Sequence, residues 1–295
     1  IVSFSDYTRT FATNTFTISP NGSEKIGGVA QNLPLSVNGQ AITLVYVDAT
    51  EGWINIQNAE DTETGLVPAF VSASGGNTTI TDGDFKIHTF TGPGTFTVCS
   101  VGNLAGSNTV SYMVVAGGGG GGSGDGGGGG AGAGGFRESK ASSDTYTASP
   151  LNATSGPFYN LPVSAQGYPI VVGAGGTGAG GTVPNPPAGT QGGTSSFSTI
   201  SAAGGGAGGN FPASSAPDKN GRSGGSGGGG TTNCATGGAG NTPPVSPAQG
   251  TNGGGGGGNA GGGGGGAGAV GETAPGPGQA GAGGTGVGTA IHPNS

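Results

Sequence analysis

Charge is scarce in this chain. Asp, Glu, Lys and Arg together make up 7% of its 295 residues, against about 25% in ordinary globular domains. The seven Lys and Arg residues form no cluster, so the chain offers no electrostatic footprint for nucleic acid or for an anionic membrane surface. Aromatic residues are 6% and hydrophobic residues 31%, too few for one large conventional core. No stretch approaches the run of about 18 apolar residues that marks a membrane-spanning helix, so no membrane insertion is expected. Cysteine occurs only twice, at Cys99 and Cys234. The two stand far apart without His or Cys at metal-ligand spacing, which leaves free thiols or at most one disulfide and rules out a disulfide scaffold.

Glycine fills the space left by these absences. Gly accounts for 76 residues and Pro for 19, a level at which low-complexity disorder is the default. Uninterrupted glycine covers residues 117–122, 126–130, 253–258 and 261–266. Such runs bury no apolar side chain and lose roughly 1–2 kcal/mol of backbone entropy per residue on ordering. An α-helix is disfavoured by about 1 kcal/mol per Gly relative to Ala, and a pleated strand has no side chains to pack. The regular form that remains is the extended left-handed threefold helix, which turns every N–H and C=O outward. Collagen's strict period is missing, and glycine at all three positions of the turn lets such a helix be bonded by neighbours on every side. A bundle of this kind needs anchoring at its ends.

The charge that is present is uneven. Nine acids stand against three bases up to Lys86, and five against four beyond it. The acidic first part reads as β-structure. Thr15-Phe16-Thr17-Ile18 alternates and runs into Ser19-Pro20-Asn21-Gly22, a turn. Residues 33–37 and 41–47 flank Asn38-Gly39-Gln40, which predicts a hairpin because the turn needs positive φ. Trp53, in the next strand, is the expected core filler. Ile1-Val2-Ser3-Phe4 already reads as the middle of an alternation, so the chain is expected to continue upstream. Residues 85–91 and 95–98, joined by Gly92-Pro93-Gly94, predict a second hairpin, and residues 110–115 a strand that runs into the first glycine stretch. That join recurs at residues 168–176 and 196–206. Three joins of strand to glycine predict a short sheet whose strands continue as threefold helices.

The expected fold class is therefore all-β, without α-helix. Its parts are an antiparallel β module (1–57), a linker and entry to the second β region (58–82), a β-hairpin and strand leading into the glycine domain (83–116), and a glycine-rich bundle of polyglycine II (PPII-like) helices with irregular loops (117–295). Excursions of other composition interrupt the bundle at residues 136–168, 182–195, 210–222, 231–236, 241–252 and 272–279. Binding belongs to loops on a rigid scaffold. Phe136, Tyr146, Phe158, Tyr159 and Phe211 are the candidates for receptor contact, by stacking on sugar rings or packing on an apolar surface, with capping of the bundle ends as their alternative role.

Chemistry is poorly represented. The G-x-G-x-x-G matches are those that glycine content alone produces, and none opens a helix or precedes Lys-Ser/Thr. His88 lies in a strand and His292 in a terminal turn, neither with acidic partners at ligand spacing. Asp125, which interrupts a glycine run, marks a turn. No cofactor, metal site or catalytic residue is expected, and the chain does not read as an enzyme.

The blocks from Phe85 to Val98 and from Tyr112 to Ala116, followed by a glycine run, resemble the glycine-rich domain of tailed-bacteriophage tail fibres and adhesins, from about Gly83 onward. The segments 16–28, 43–48 and 52–54 are similar to a β module of marine phage structural proteins. The resemblance implies a virion fibre or tip protein, commonly a homotrimer, that presents loops to a host surface receptor, a glycan or an outer-membrane protein, alongside other virion proteins. It brings no catalytic residues. The rival expectations are a purely structural virion fibre or surface filament, and an ice-binding or matrix protein, which would need a flat Thr/Ala face.

Overall fold

The computed structural model describes residues 1–56, 68–103, 106–124, 126–180, 188–211 and 219–292. The expected linker at 58–65 and the expected turn at Asp125 lie outside these residues. The named elements are sixteen β-strands, in keeping with the all-β expectation. The chain divides into two compact units: Ile1–Ser72 with Ser100–Asn108, and Ala73–Cys99 with Thr109–Ser295.

The first unit contains two small antiparallel sheets. In one, β1 (Val2–Ser5) and β5 (Gly52–Asn55) flank β4 (Ala41–Asp48); the other pairs β2 (Phe16–Ile18) with β3 (Leu33–Leu35). Leu33 and Leu35 from one sheet meet Ile42 and Leu44 from the other, with Ile26 beside them and Phe4, Phe11, Ile18 and Trp53 at the margin. The turn at Gly39 forms as expected, with φ +79° and a bond from Gln40 N–H to the Val37 carbonyl. The hairpin predicted around it does not. Strands β3 and β4 go to different sheets because both carry inward-facing apolar residues, and placing them face to face buries both sets in one core.

The second unit has a β-rich end and a glycine-rich body. Strands β7 (Thr78–Asp82) and β8 (Phe85–Thr89) form a hairpin about Gly83, whose φ is +56°. A five-stranded sheet runs in the order β16 (Ile200–Ala202), β15 (Ser195–Phe197), β14 (Gly167–Val171), β9 (Gly94–Ser100), β6 (Ser72–Ser74). The hairpin predicted between residues 85–91 and 95–98 is thus replaced: β8 pairs back onto β7, and β9 pairs with β14. Two further pairs join β10 (Thr109–Val110) to β13 (Leu161–Pro162) and β11 (Tyr112–Val115) to β12 (Phe136–Ser139). Tyr112, Val114, Ala116, Phe197, Ile200 and Ala202 form the core beneath these strands.

From this end the described residues make twelve extended passes, alternately outward and inward: residues 117–123, 127–135, 173–180, 188–194, 203–210, 220–224, 226–231, 235–240, 250–257, 260–266, 269–275 and 280–289, numbered 1 to 12 below. Their hydrogen bonds repeat every third residue. Gly129, Gly132 and Gly135 on pass 2 donate to Gly209, Gly206 and Ala203 on pass 5, while Gly130 and Ala133 donate to Gly262 and Gly265 on pass 10. That spacing is the signature of the threefold helix, in which residues i and i+3 face the same neighbour. Pass 7 is encircled by passes 2, 5, 6, 8, 9 and 10, each also bonded to the next around the ring. The lattice is hexagonal, and residues 226–231 at its centre are buried throughout. The strand-to-glycine joins expected from the sequence are present at β11, β14 and β16, where pleated strands continue as passes 1, 3 and 5.

Candidate functional site

Alternation of the passes sorts their connections between two ends. Passes 1, 3, 5, 7, 9 and 11 run away from the sheets, so the far end is formed, among the described residues, by Gly124, Gly126, Phe211 and residues 232–234, 258–259 and 276–279. The links following inward passes return to the sheet end, among them 136–172, 195–202 and 241–249.

Side-chain and backbone hydrogen bonds join several of these far-end segments to one another. Asn210 accepts through Oδ1 from the Ser123 N–H at 2.9 Å and from its hydroxyl at 2.8 Å, and Phe211 N–H donates to the Ser123 carbonyl. Thr231 Oγ1 donates to the Gly127 carbonyl at 2.7 Å. Asn233 N–H donates to the Gly258 carbonyl, which joins the turn after pass 7 to the turn after pass 9. Asn233 and Cys234 have φ of +58° and +59°, a left-handed conformation sparsely used by residues other than Gly. Both are exposed. Cys234 and Cys99 are free thiols, which settles the choice that the sequence left open.

The sheet end is built differently. Glu138 on β12 is buried and accepts from the Ser149 N–H at 2.9 Å and from the Thr289 hydroxyl, so it fastens both the 140–160 excursion and the end of pass 12. Gln249, 1% exposed, bridges three segments of the interior. Its Oε1 accepts from Ala203 N–H at 2.7 Å, its Nε2 donates to the Pro243 carbonyl at 2.8 Å, and its carbonyl accepts from Phe136 N–H. Asn241, Asn220 and Asn252 bond backbone amides at pass ends in the same way. Sequence reasoning missed this role, although the signal was present: Asn and Gln recur where glycine runs stop.

The five aromatic candidates do not converge. Phe136, Tyr146, Phe158 and Tyr159 belong to the sheet end and Phe211 to the far end. Phe136 is 8% exposed and sits opposite Val115 in the β11–β12 pair, so its ring serves the interior. Phe158 packs against the sheet-end core. Tyr146 is half-buried beneath Lys140, whose Nζ lies 5.6 Å from the ring centroid. Burial and the neighbouring Glu138 carboxylate hold its phenol well above the ordinary tyrosine range. Tyr159 and Phe211 are likewise half-buried. His88 bonds the Gly75 carbonyl through Nδ1 at 2.7 Å and packs edge-on against Phe96, a structural setting. Among the described residues no three His, Cys, Asp or Glu side chains gather into a metal-binding group.

Comparisons with curated proteins and with solved structures return no match. A family model described as a glycine-rich domain matches residues 89–292, which takes in β9 to β16 and all twelve passes. With more than half of its length matched and a hydrogen-bonded glycine lattice as its body, the chain belongs to the glycine-rich domain family.

Proposed function

We propose that this chain is a subunit of a bacteriophage tail fibre or adhesin, part of the virion, which attaches to a host surface receptor without chemistry. The observation that supports this reading is the far end of the bundle. The described turns there, residues 232–234, 258–259 and 276–279, are carried on a lattice whose amides bond from pass to pass. Side chains are nearly absent from the passes, so discrimination between surfaces falls to these links. Exposed Asn side chains such as Asn233 and Asn259 offer paired donors and acceptors of the kind that recognise sugar hydroxyls or a receptor's backbone. A glycan or an outer-membrane protein is the proposed receptor class, reached in company with other virion proteins.

The reading is tested by adsorption. The purified chain should bind host cells saturably and compete with the virion. The double substitution Asn233→Gly and Cys234→Gly removes two exposed side chains at positions whose positive φ suits glycine, so it should leave thermal unfolding unchanged while weakening adsorption. Undiminished adsorption by this variant, together with failure of antibodies against residues 231–236 to block it, would favour the rival reading of a purely structural virion or filament component.

A further inference from the structure

In a chain with so few charges, one of them is buried without an answer. Arg137 on β12 is 6% exposed, and its guanidinium has no hydrogen-bond or ion-pair partner among the described residues. Arginine is almost never buried to this depth unless paired, because an unanswered charge away from water is strongly destabilising. The register of β11 with β12 shows what lies beside it. Val114 stands opposite Arg137, and Tyr112 opposite Ser139. Residues two apart and residues directly opposite share a face, so all four side chains point to the side where Tyr112 and Val114 are buried; Met113 and Val115, on the other side, are 42% and 49% exposed. Tyr112 and Arg137 are thus diagonal neighbours, about 7–8 Å apart at the backbone and within reach of long side chains. Tyr112 is 5% exposed, and its hydroxyl is likewise buried without a partner among the described residues. Burial pushes its phenol up, and the Arg137 charge is near enough to oppose that in part. No acid answers the pair. Glu138 points to the opposite face and is held by Ser149 N–H and the Thr289 hydroxyl, while Asp144 accepts from the hydroxyls of Ser111 and Ser143.

We propose that Arg137 and Tyr112 form a binding site for a carboxylate, which takes two parallel N–H bonds from the guanidinium and a third bond from the phenol. Both side chains are donors left over on one face, and a carboxylate is acceptor-only. The planar fork of arginine matches its two oxygens in bidentate fashion. Charge selects it over phosphate. One guanidinium and a neutral phenol balance one negative charge, whereas a phosphate monoester carries nearly two and would leave the excess among the apolar residues of this core, Val114, Phe197, Ile200 and Ala202. A single-atom anion such as chloride has no second oxygen for the fork. The guanidinium nitrogens, unlike the Tyr112 hydroxyl, are not sealed from solvent, so a small acid enters carboxylate first. The site belongs to the sheet end of the glycine-rich unit and does not rest on the receptor reading of the far-end turns.

Thermal unfolding of the intact chain, titrated with sodium acetate at constant ionic strength made up with sodium chloride, should show a rise in unfolding temperature that saturates, as one-site binding to the folded form requires. Arg137→Met replaces the buried charge with an apolar side chain. It should unfold at or above the wild-type temperature without acetate and lose the saturable rise. Tyr112→Phe keeps the ring and removes the hydroxyl, so it should fold normally and weaken acetate binding about tenfold; if Arg137→Met fails to fold, this variant decides alone. Sodium glucuronate in place of acetate separates two sources of the group: a rise with both extends the site to acidic sugars, and a rise with acetate alone restricts it to small free acids. The proposal is overturned by the absence of a saturable rise with acetate, by an equal rise in Arg137→Met, which is the general salt effect, or by acetate binding that Tyr112→Phe leaves unaltered.

Discussion

At the scale of the residue, glycine in this chain supplies room rather than unusual dihedral angles. Gly206, Gly227, Gly228 and Gly229 at the lattice centre do not have positive φ, so an L-residue could adopt their backbone conformation. A β-carbon could not be fitted. At Gly206 it would stand 1.8 Å from the Arg222 carbonyl oxygen, and at Gly229 2.1 Å from that of Gly262. Gly229→Ala should therefore destabilise the second unit by about 3 kcal/mol or more, since the obstacle is backbone held on all sides. At Gly121 nothing lies within 4 Å, and Gly121→Ala should be neutral or slightly stabilising through the unfolded chain. Calorimetric unfolding of both variants checks the contrast, and equal losses would show that composition rather than position matters. Gln249→Leu should cost about 2–3 kcal/mol, because it strands the Ala203 N–H and the Pro243 carbonyl in the interior; denaturant unfolding measures it. The runs of glycine were plain in the sequence. Which glycines carry the lattice and which merely face water was not, because identical residues leave no pattern to read.

At the scale of the element, the strands were legible but their partners were not. Residues 33–37 and 41–47 alternate as strands and are separated by a correctly placed turn, yet a shared core recruits them into different sheets. The same happens at residues 85–98, where β9 finds β14 some seventy residues away. Local turn chemistry fixes a reversal of the chain; burial of apolar faces fixes who pairs with whom. The loop after β1 adds an electrostatic element. Burial of Asp6 would raise its pKa, but the backbone N–H groups of Phe11, Gly39 and Thr10, each donating to its carboxylate at 3.0 Å, outweigh it and hold the carboxyl below its ordinary value. Bonds from Glu51 and Thr50 do the same for Asp48. A depressed folded-state pKa contributes stability that is complete above the unfolded value of about 3.9 and is lost as pH falls through the folded one. The first unit should accordingly loosen below about pH 4. Trp53, the single Trp of the chain, lies in this unit with its indole N–H on Glu24 at 3.0 Å, so its fluorescence reports the transition. Asp6→Asn should flatten the dependence of stability on pH in this range, and an unaltered slope would remove Asp6 from the account.

At the scale of the whole glycine-rich unit, stability is distributed by position in the lattice. Pass 7 is bonded on six sides and pass 12 on two. Hydrogen exchange should therefore be slowest at the amides of residues 227–230 and fast at Gly283 and Gly286; uniform protection would contradict a cooperative lattice with a true interior. The sequence by itself determined the class of structure. Scarce apolar residues exclude a large core, and unbroken glycine leaves the threefold helix as the ordered form with every amide available. Strands that run directly into glycine announced where the bundle is anchored. Only the tertiary structure decided the order of the passes, the end at which the described turns lie and the burial of Phe136. The physical reason is that side chains encode which neighbour a segment prefers, and these passes have almost none: their backbone amides fit any neighbour equally, so only assembly of all twelve selects the arrangement.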